Sequence, residues 1–213
     1  RIKEAGAEIA GSAREAANEA EFVFLCLPSG AHVRQVFREG GLIEAARTGQ
    51  TYVDLGTSPV ALARELAEEL AKKGADFADA PIARTRTAAQ TGTLSVMVGA
   101  RPEVYSRLEP LISCFATDIT HCGDVGSGQI VKILNNMVLF QTVNALAEAL
   151  AVGRRSGLDP EKLFLTFAKG SANSFALNNH GLKAMVPGVY PERAFSTEYA
   201  LKDLGYALEL AEE

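Results

Sequence analysis

The chain has 213 residues, 47% of them hydrophobic and 22% charged, with a formal net charge of −5. This is the make-up of a globular protein with room for one large domain or two small ones and a sizeable core. The acidic balance argues against nucleic acid or an anionic membrane as the main partner.

In chain order, residues 1–12 (RIKEAGAEIAGS) read as the end of a helix running into a short strand. Strands are then expected at Phe22–Leu27, Thr51–Leu55, Asp76–Ala80, Leu94–Gly99 and Asp118–His121. Helical patterns lie between them at roughly 30–38, 59–73 and 102–113, the second opening with Ser58 as N-cap and Pro59 at the first helical position. FVFLCL is apolar without alternation, as expected of a central strand covered on both faces. Strands alternating with helices predict an α/β fold with a doubly wound parallel sheet. After Gly126 the strand signals vanish. A long helix is expected over about 127–155, a stop at Ser156–Pro160, and shorter helices near 160–169, 172–183 and 197–212. The reading is therefore two domains, 1–123 (α/β) and 124–213 (all-α), joined by the long helix.

A doubly wound nucleotide-binding domain carries a glycine fingerprint in its first strand–turn–helix unit, on the order of 30 residues long. No GxGxxG occurs here. The expectation is a fragment lacking that unit and cut within a helix at its other end; the alternative is a chain that binds no dinucleotide.

The stretch GDVGSGQIVKILNNM, 123–137, is a glycine-punctuated lead into an apolar helix. Between Gln129 and Gly153 the only charged residues are Lys132 and Glu148. Lys132 and Asn136 fall one turn apart on one face. An ammonium on a helix otherwise built for burial must be paired or put to use; a solvated stripe with a snorkelling lysine has the same spacing. The run 130–153 is long and apolar, but Lys132, Asn135, Asn136, Gln141, Asn144 and Glu148 interrupt it too often for a membrane span. Cys26, Cys114 and Cys122 read as reduced thiols, and the scattered histidines suggest no metal site. No signal peptide is visible, and the expected location is cytoplasmic.

Three loops follow expected strands, where open parallel sheets bind ligands. They are Cys26–Ser29, Asp54–Pro59 and Asp79–Arg86. Pro28 and Ser58-Pro59 also suit plain turn and capping chemistry, and Arg84 and Arg86 also suit a solvated surface. Lys202-Asp203, on an amphipathic pattern, reads by default as a solvated pair.

Taken in order, CLPSG, VDLGTSP, DAPIARTRTAAQTGTLSVMVG, GDVGSGQIVKILNNM and FSTEYALKDL resemble the β-hydroxyacid dehydrogenases, the group of 3-hydroxyisobutyrate dehydrogenase and tartronate semialdehyde reductase. The resemblance covers about residues 5–210. It implies a Rossmann-type domain followed by a helical one, NAD or NADP as cofactor, and reversible oxidation of a 3-hydroxy acid to an aldehyde or keto acid. It further implies Lys132 as the catalytic lysine and Asn136 as the substrate-binding asparagine. Leu27, Pro28 and Thr57 fall on the loops that touch the cofactor, and Lys202 on the lysine that reaches it from the helical domain. A base beside the hydroxyl is what hydride loss requires, and a lysine withdrawn from water can serve in both directions.

One departure concerns the substrate. Where the family usually shows Ser-Gly-Gly, this chain has Ala83-Arg84-Thr85, and Ala88 stands where a further glycine is usual. The expectation is still a small carboxylate-bearing substrate, but not the usual ones, with Arg84 or Arg86 offering a bidentate partner and Thr85 a hydroxyl. A catalytically silent NAD(P)-binding interaction module of the same fold, an imine reductase-like enzyme and a 6-phosphogluconate dehydrogenase are the alternatives. Imine reductases usually replace the lysine, which Lys132 speaks against. The resemblance also implies a homodimer or homotetramer.

Overall fold

The computed structural model describes residues 3–190 and 195–212; Arg1 and Glu213, the outer limits of the two expected domains, lie outside them. Strands β1 (Phe22–Leu25), β2 (Thr51–Asp54), β3 (Asp76–Asp79), β4 (Ile82–Ala83), β5 (Leu94–Gly99) and β6 (Ala116–Gly123) form one sheet. The helices that accompany it are α1 (Ala13–Ala17), α2 (Gly30–Arg38), α3 (Leu42–Ala45), α4 (Val60–Ala71), α5 (Arg86–Thr91) and α6 (Pro102–Ile112). A 29-residue helix, α7 (Ser127–Arg155), leads to α8 (Pro160–Phe167), a π-helical segment at Leu177–Met185 and α9 (Thr197–Glu212).

The sheet is doubly wound, but it is mixed where a parallel sheet was expected. β1, β2 and β3 are parallel, with Asp54 opposite Asp79 at their ends, and β5 pairs antiparallel with both β3 and β4. The short six-residue α5 links β4 to β5. A parallel return needs a longer crossover, whereas an antiparallel one does not. β6 then lies parallel to β5 after the α6 crossover.

Alternation along the strands builds a core on each face. Tyr52 and Phe77 point to the side of Val33, Phe37, Leu66 and Leu70, whereas Val53 and Ala78 point to that of Val98, Val104, Leu108 and Ile112. β1 departs from the expected central strand. Among the described residues it pairs with β2 alone, and Phe24 is 37% exposed. Residues 3–12 hold one tight turn, Lys3–Ala5, and no strand, and Ile9 is 72% exposed.

By compactness Leu134–Ala207 form one unit, and the described residues before Leu134 and from Leu208 form the other. The first turns of α7 belong to the α/β unit because their polar groups are spent there, as described below. The core of the helical unit joins Leu146 and Leu150 of α7 to Phe164, Ala176 and Leu177. By length and composition α7 could cross a membrane, with a mean hydropathy of 1.3 over its most apolar window.

Candidate active site

The strand ends bring two of the expected cofactor loops together. Leu55 N donates to Leu25 O at 2.8 Å, and a Cβ on Gly56 would stand 2.9 Å from Leu27 O. Only glycine lets the loop carrying Thr57 lie so close to the loop carrying Leu27 and Pro28. Leu27 and Thr57 are partly buried and Pro28 is exposed. Neither Ser29 before α2 nor Pro59 before α4 caps its helix through a side chain. Both loops lead into helix starts, whose backbone N–H groups are of the kind that cradle an anionic ligand. That arrangement fits a dinucleotide at the carboxyl ends of the strands.

Ser58 is not the cap that the sequence suggested. Pro59 takes the cap position, and Ser58 Oγ instead donates to Asp54 Oδ2 at 2.7 Å, while Asp54 Oδ1 accepts from Gly56 N at 2.9 Å. From the opposite side, Gln129 Oε1 accepts from Ser58 N at 3.0 Å and Gln129 Nε2 donates to Gly56 O at 2.9 Å. Thr57 sits between these two anchored residues.

The start of α7 is held from β3. Asp79 Oδ1 accepts from Gly126 N at 2.6 Å and Asp79 Oδ2 from Gln129 N at 2.7 Å. A carboxylate from another element thereby satisfies donors that the helix cannot satisfy itself, and its charge complements the helix dipole. The fit is close: a Cβ on Gly99 would lie 2.5 Å from Asp79 Oδ1, and one on Gly128 would collide with Met97 O. Asp54, Ser58, Asp79 and Gln129 are all buried. Burial pushes the Asp79 carboxyl up to about 6, against the two N–H donors that pull it down, and Asp54 adds to the rise. Lys132, partly buried, follows Gln129 by three residues.

The residues of the expected substrate loop are Ala83, partly buried, and the exposed Arg84 and Thr85. Arg84 takes a left-handed backbone at φ 82°, the conformation that suits glycine. Its guanidinium turns to β6: Nη2 pairs with Asp118 Oδ2 at 2.6 Å, and Nη1 donates to Thr93 O at 2.7 Å and Thr117 Oγ1 at 3.1 Å. The side chain expected to await a carboxylate ligand already grips one of the protein's own.

In the helical unit, Asn136 is buried and its Nδ2 donates to Asp203 Oδ2 at 2.6 Å. Lys202 Nζ lies 2.9 Å from Asp203 Oδ1 and over the Tyr206 ring. The Lys202-Asp203 pair is therefore not the solvated default, for Asp203 is 3% exposed. Among the described residues, no three His, Cys, Asp or Glu side chains gather as a metal site would require.

The sequence reading named Asp54, Asp79 and Asp203 within two loops and a helical pair but gave none of them a part in the site. Their only local signal was an acid in an apolar context: two at the ends of buried strands, one beside Lys202 on a helix.

Comparison with known proteins finds matches to two family models, followed by individual relatives. Residues 1–123 match the NAD-binding domain of 6-phosphogluconate dehydrogenase, and residues 126–213 match the NAD-binding family of NADP-dependent 3-hydroxyisobutyrate dehydrogenase. A probable mitochondrial 3-hydroxyisobutyrate dehydrogenase of Dictyostelium discoideum is 36% identical over 99% of this chain and 68% of its own length. A 2-(hydroxymethyl)glutarate dehydrogenase of Eubacterium barkeri is 34% identical over 98% of this chain and 69% of its own. A Mycobacterium tuberculosis 3-hydroxyisobutyrate dehydrogenase solved with L-serine superposes with a TM-score of 0.84 at 31% identity, covering 95% of this chain and 71% of that one.

Proposed function

Because the chain belongs to the β-hydroxyacid dehydrogenases, a family of NAD(P)-dependent oxidoreductases, we propose that it interconverts a small 3-hydroxy acid and its aldehyde or keto acid, with Lys132 as general acid and base. The observation that carries this reading is the anchoring of the Lys132-bearing helix start to the Thr57 loop through Gln129. Bound NAD or NADP supplies the hydride acceptor or donor. Lys132 Nζ removes the hydroxyl proton as the carbonyl forms and returns it in the reverse direction. Leu27, Pro28, Thr57 and Lys202 are the cofactor-binding residues, the last paired with Asp203.

Asn136 donates one Nδ2 hydrogen to Asp203, and the amide carries a second that orients the substrate. Ala83, Arg84 and Thr85 form the substrate loop. Since the Arg84 guanidinium is taken by Asp118, the Thr85 hydroxyl and loop backbone N–H groups meet the substrate carboxylate, and Arg84 shapes the loop. The exposed apolar residues Val138 and Val152 of α7, 57% and 53% accessible, support a homodimer or homotetramer, checked by sedimentation.

The test is nicotinamide absorbance with a panel of small hydroxy acids and aldehydes, alongside thermal shift with NAD and NADP. Wild type should turn over a carboxylate-bearing substrate. Lys132→Ala should lose turnover yet keep the cofactor-induced shift; retained turnover removes the base assignment.

A further inference from the structure

We propose that Gln129 is a positioning residue that makes the cofactor loop and the Lys132-bearing end of α7 move and order as one body, so that dinucleotide binding sets the base. The inference rests on the roles given above to Thr57 and Lys132.

Gln129 is fully buried and uses its polar groups in two directions. Its side-chain amide grips the peptide groups on either side of Thr57, accepting from Ser58 N at 3.0 Å and donating to Gly56 O at 2.9 Å. Its backbone N–H, on the same residue, donates to Asp79 Oδ2 at 2.7 Å. An amide that donates and accepts at once matches this pair of peptide groups in one orientation only. Asp54 braces the same loop from the other side at Gly56 N and Ser58 Oγ. Displacing Thr57 therefore pulls on the first turn of α7, three residues before Lys132. A buried group that loses either partner is left unsatisfied, which resists independent movement of loop and helix. Simple packing would not ask for this: an apolar side chain of the same volume fills the space without linking the two elements.

Hydrogen exchange on wild type, titrated with NADH and with NADPH, reads the coupling directly. Peptides spanning 54–59 and 126–133 should slow together, with one midpoint for the dinucleotide that binds. Slowing confined to the loop, or different midpoints, overturns the proposal. Gln129→Met in the same chain should weaken dinucleotide binding about tenfold and lower kcat at saturating cofactor about tenfold, with a smaller change in KM for the hydroxy acid. A variant that melts like wild type but keeps both affinity and kcat within about twofold overturns it equally. If Gln129→Met does not fold, the wild-type exchange result decides. Turnover surviving in Lys132→Ala removes the base assignment, and the exchange result alone then settles whether Gln129 joins loop to helix.

Discussion

Asn136 and Asp203 are 67 residues apart in the chain, yet the Asn136 amide donates to the Asp203 carboxylate at 2.6 Å. The other oxygen of that carboxylate faces Lys202 Nζ at 2.9 Å. One buried acid thus holds both residues that the family resemblance assigns to the substrate and to the cofactor. Asp203→Asn should lower kcat/KM about 100-fold by letting both drift, and cost about 1–3 kcal/mol of stability. Steady-state kinetics and urea melts check this; unchanged kinetics in a folded variant would show that Asp203 orients neither.

Arg84 gives a test of the substrate loop. Its left-handed backbone costs about 1 kcal/mol that glycine does not incur. The Asp118 pair is solvent-exposed and adds little against that strain. Arg84→Gly should melt at or above the wild-type temperature, Arg84→Ala at or below it. In Arg84→Ala, KM for a carboxylate substrate should stay within about twofold of wild type. A large rise in KM would place the guanidinium on the ligand instead.

Asp79 makes stability depend on pH. Its folded value of about 6 lies above the ordinary 3.8, chiefly through burial. The folded protein therefore holds this proton more tightly than the unfolded chain. The group's contribution is full below pH 3.8 and is lost as pH rises through about 6, a span worth about 3 kcal/mol. Cys122 also feels this carboxylate: burial first, and Asp79 second, push its thiol up, so it stays protonated across the window. Urea melts of wild type and Asp79→Asn at several pH values should differ by an amount that changes only across this range. Parallel curves would exclude Asp79 as the source.

The junction of β5 with α7 tolerates no side chain at Gly128. A Cβ there would collide with Met97 O and stand 2.9 Å from the Asp79 carbonyl, both backbone atoms that cannot swing aside. Gly128→Ala should destabilise by about 1–3 kcal/mol and impair turnover, since the helix start must shift. A denaturation midpoint equal to that of wild type would contradict this close approach.

Much of the architecture was legible because it rests on local periodicity. The strands at Thr51–Asp54 and Leu94–Gly99, the helix from Ser127 to Arg155 and the break between it and the helix that opens at Pro160 each follow from spacing, caps and breakers within a few residues. The reversal of β5 was not legible, because strand direction depends on how the chain returns through α5 and not on the apolar pattern of LSVMVG. Nor was the edge position of β1, since an apolar run looks the same whether or not a neighbour covers it.

The same division holds at the site. Residue order alone determined that a lone lysine and an asparagine share one face of an apolar helix, and that loops follow the strands. Only the tertiary structure decided what holds that helix in place. Gln129 meets Asp79 across 50 residues of chain and Gly56 across 73, where burial removes water as a partner and each polar group must find another within the protein. The tertiary structure also gave Arg84 a partner within the protein. From the sequence a cation beside a ligand loop looks available to the ligand; in the fold, Asp118 of a neighbouring strand reaches it at 2.6 Å.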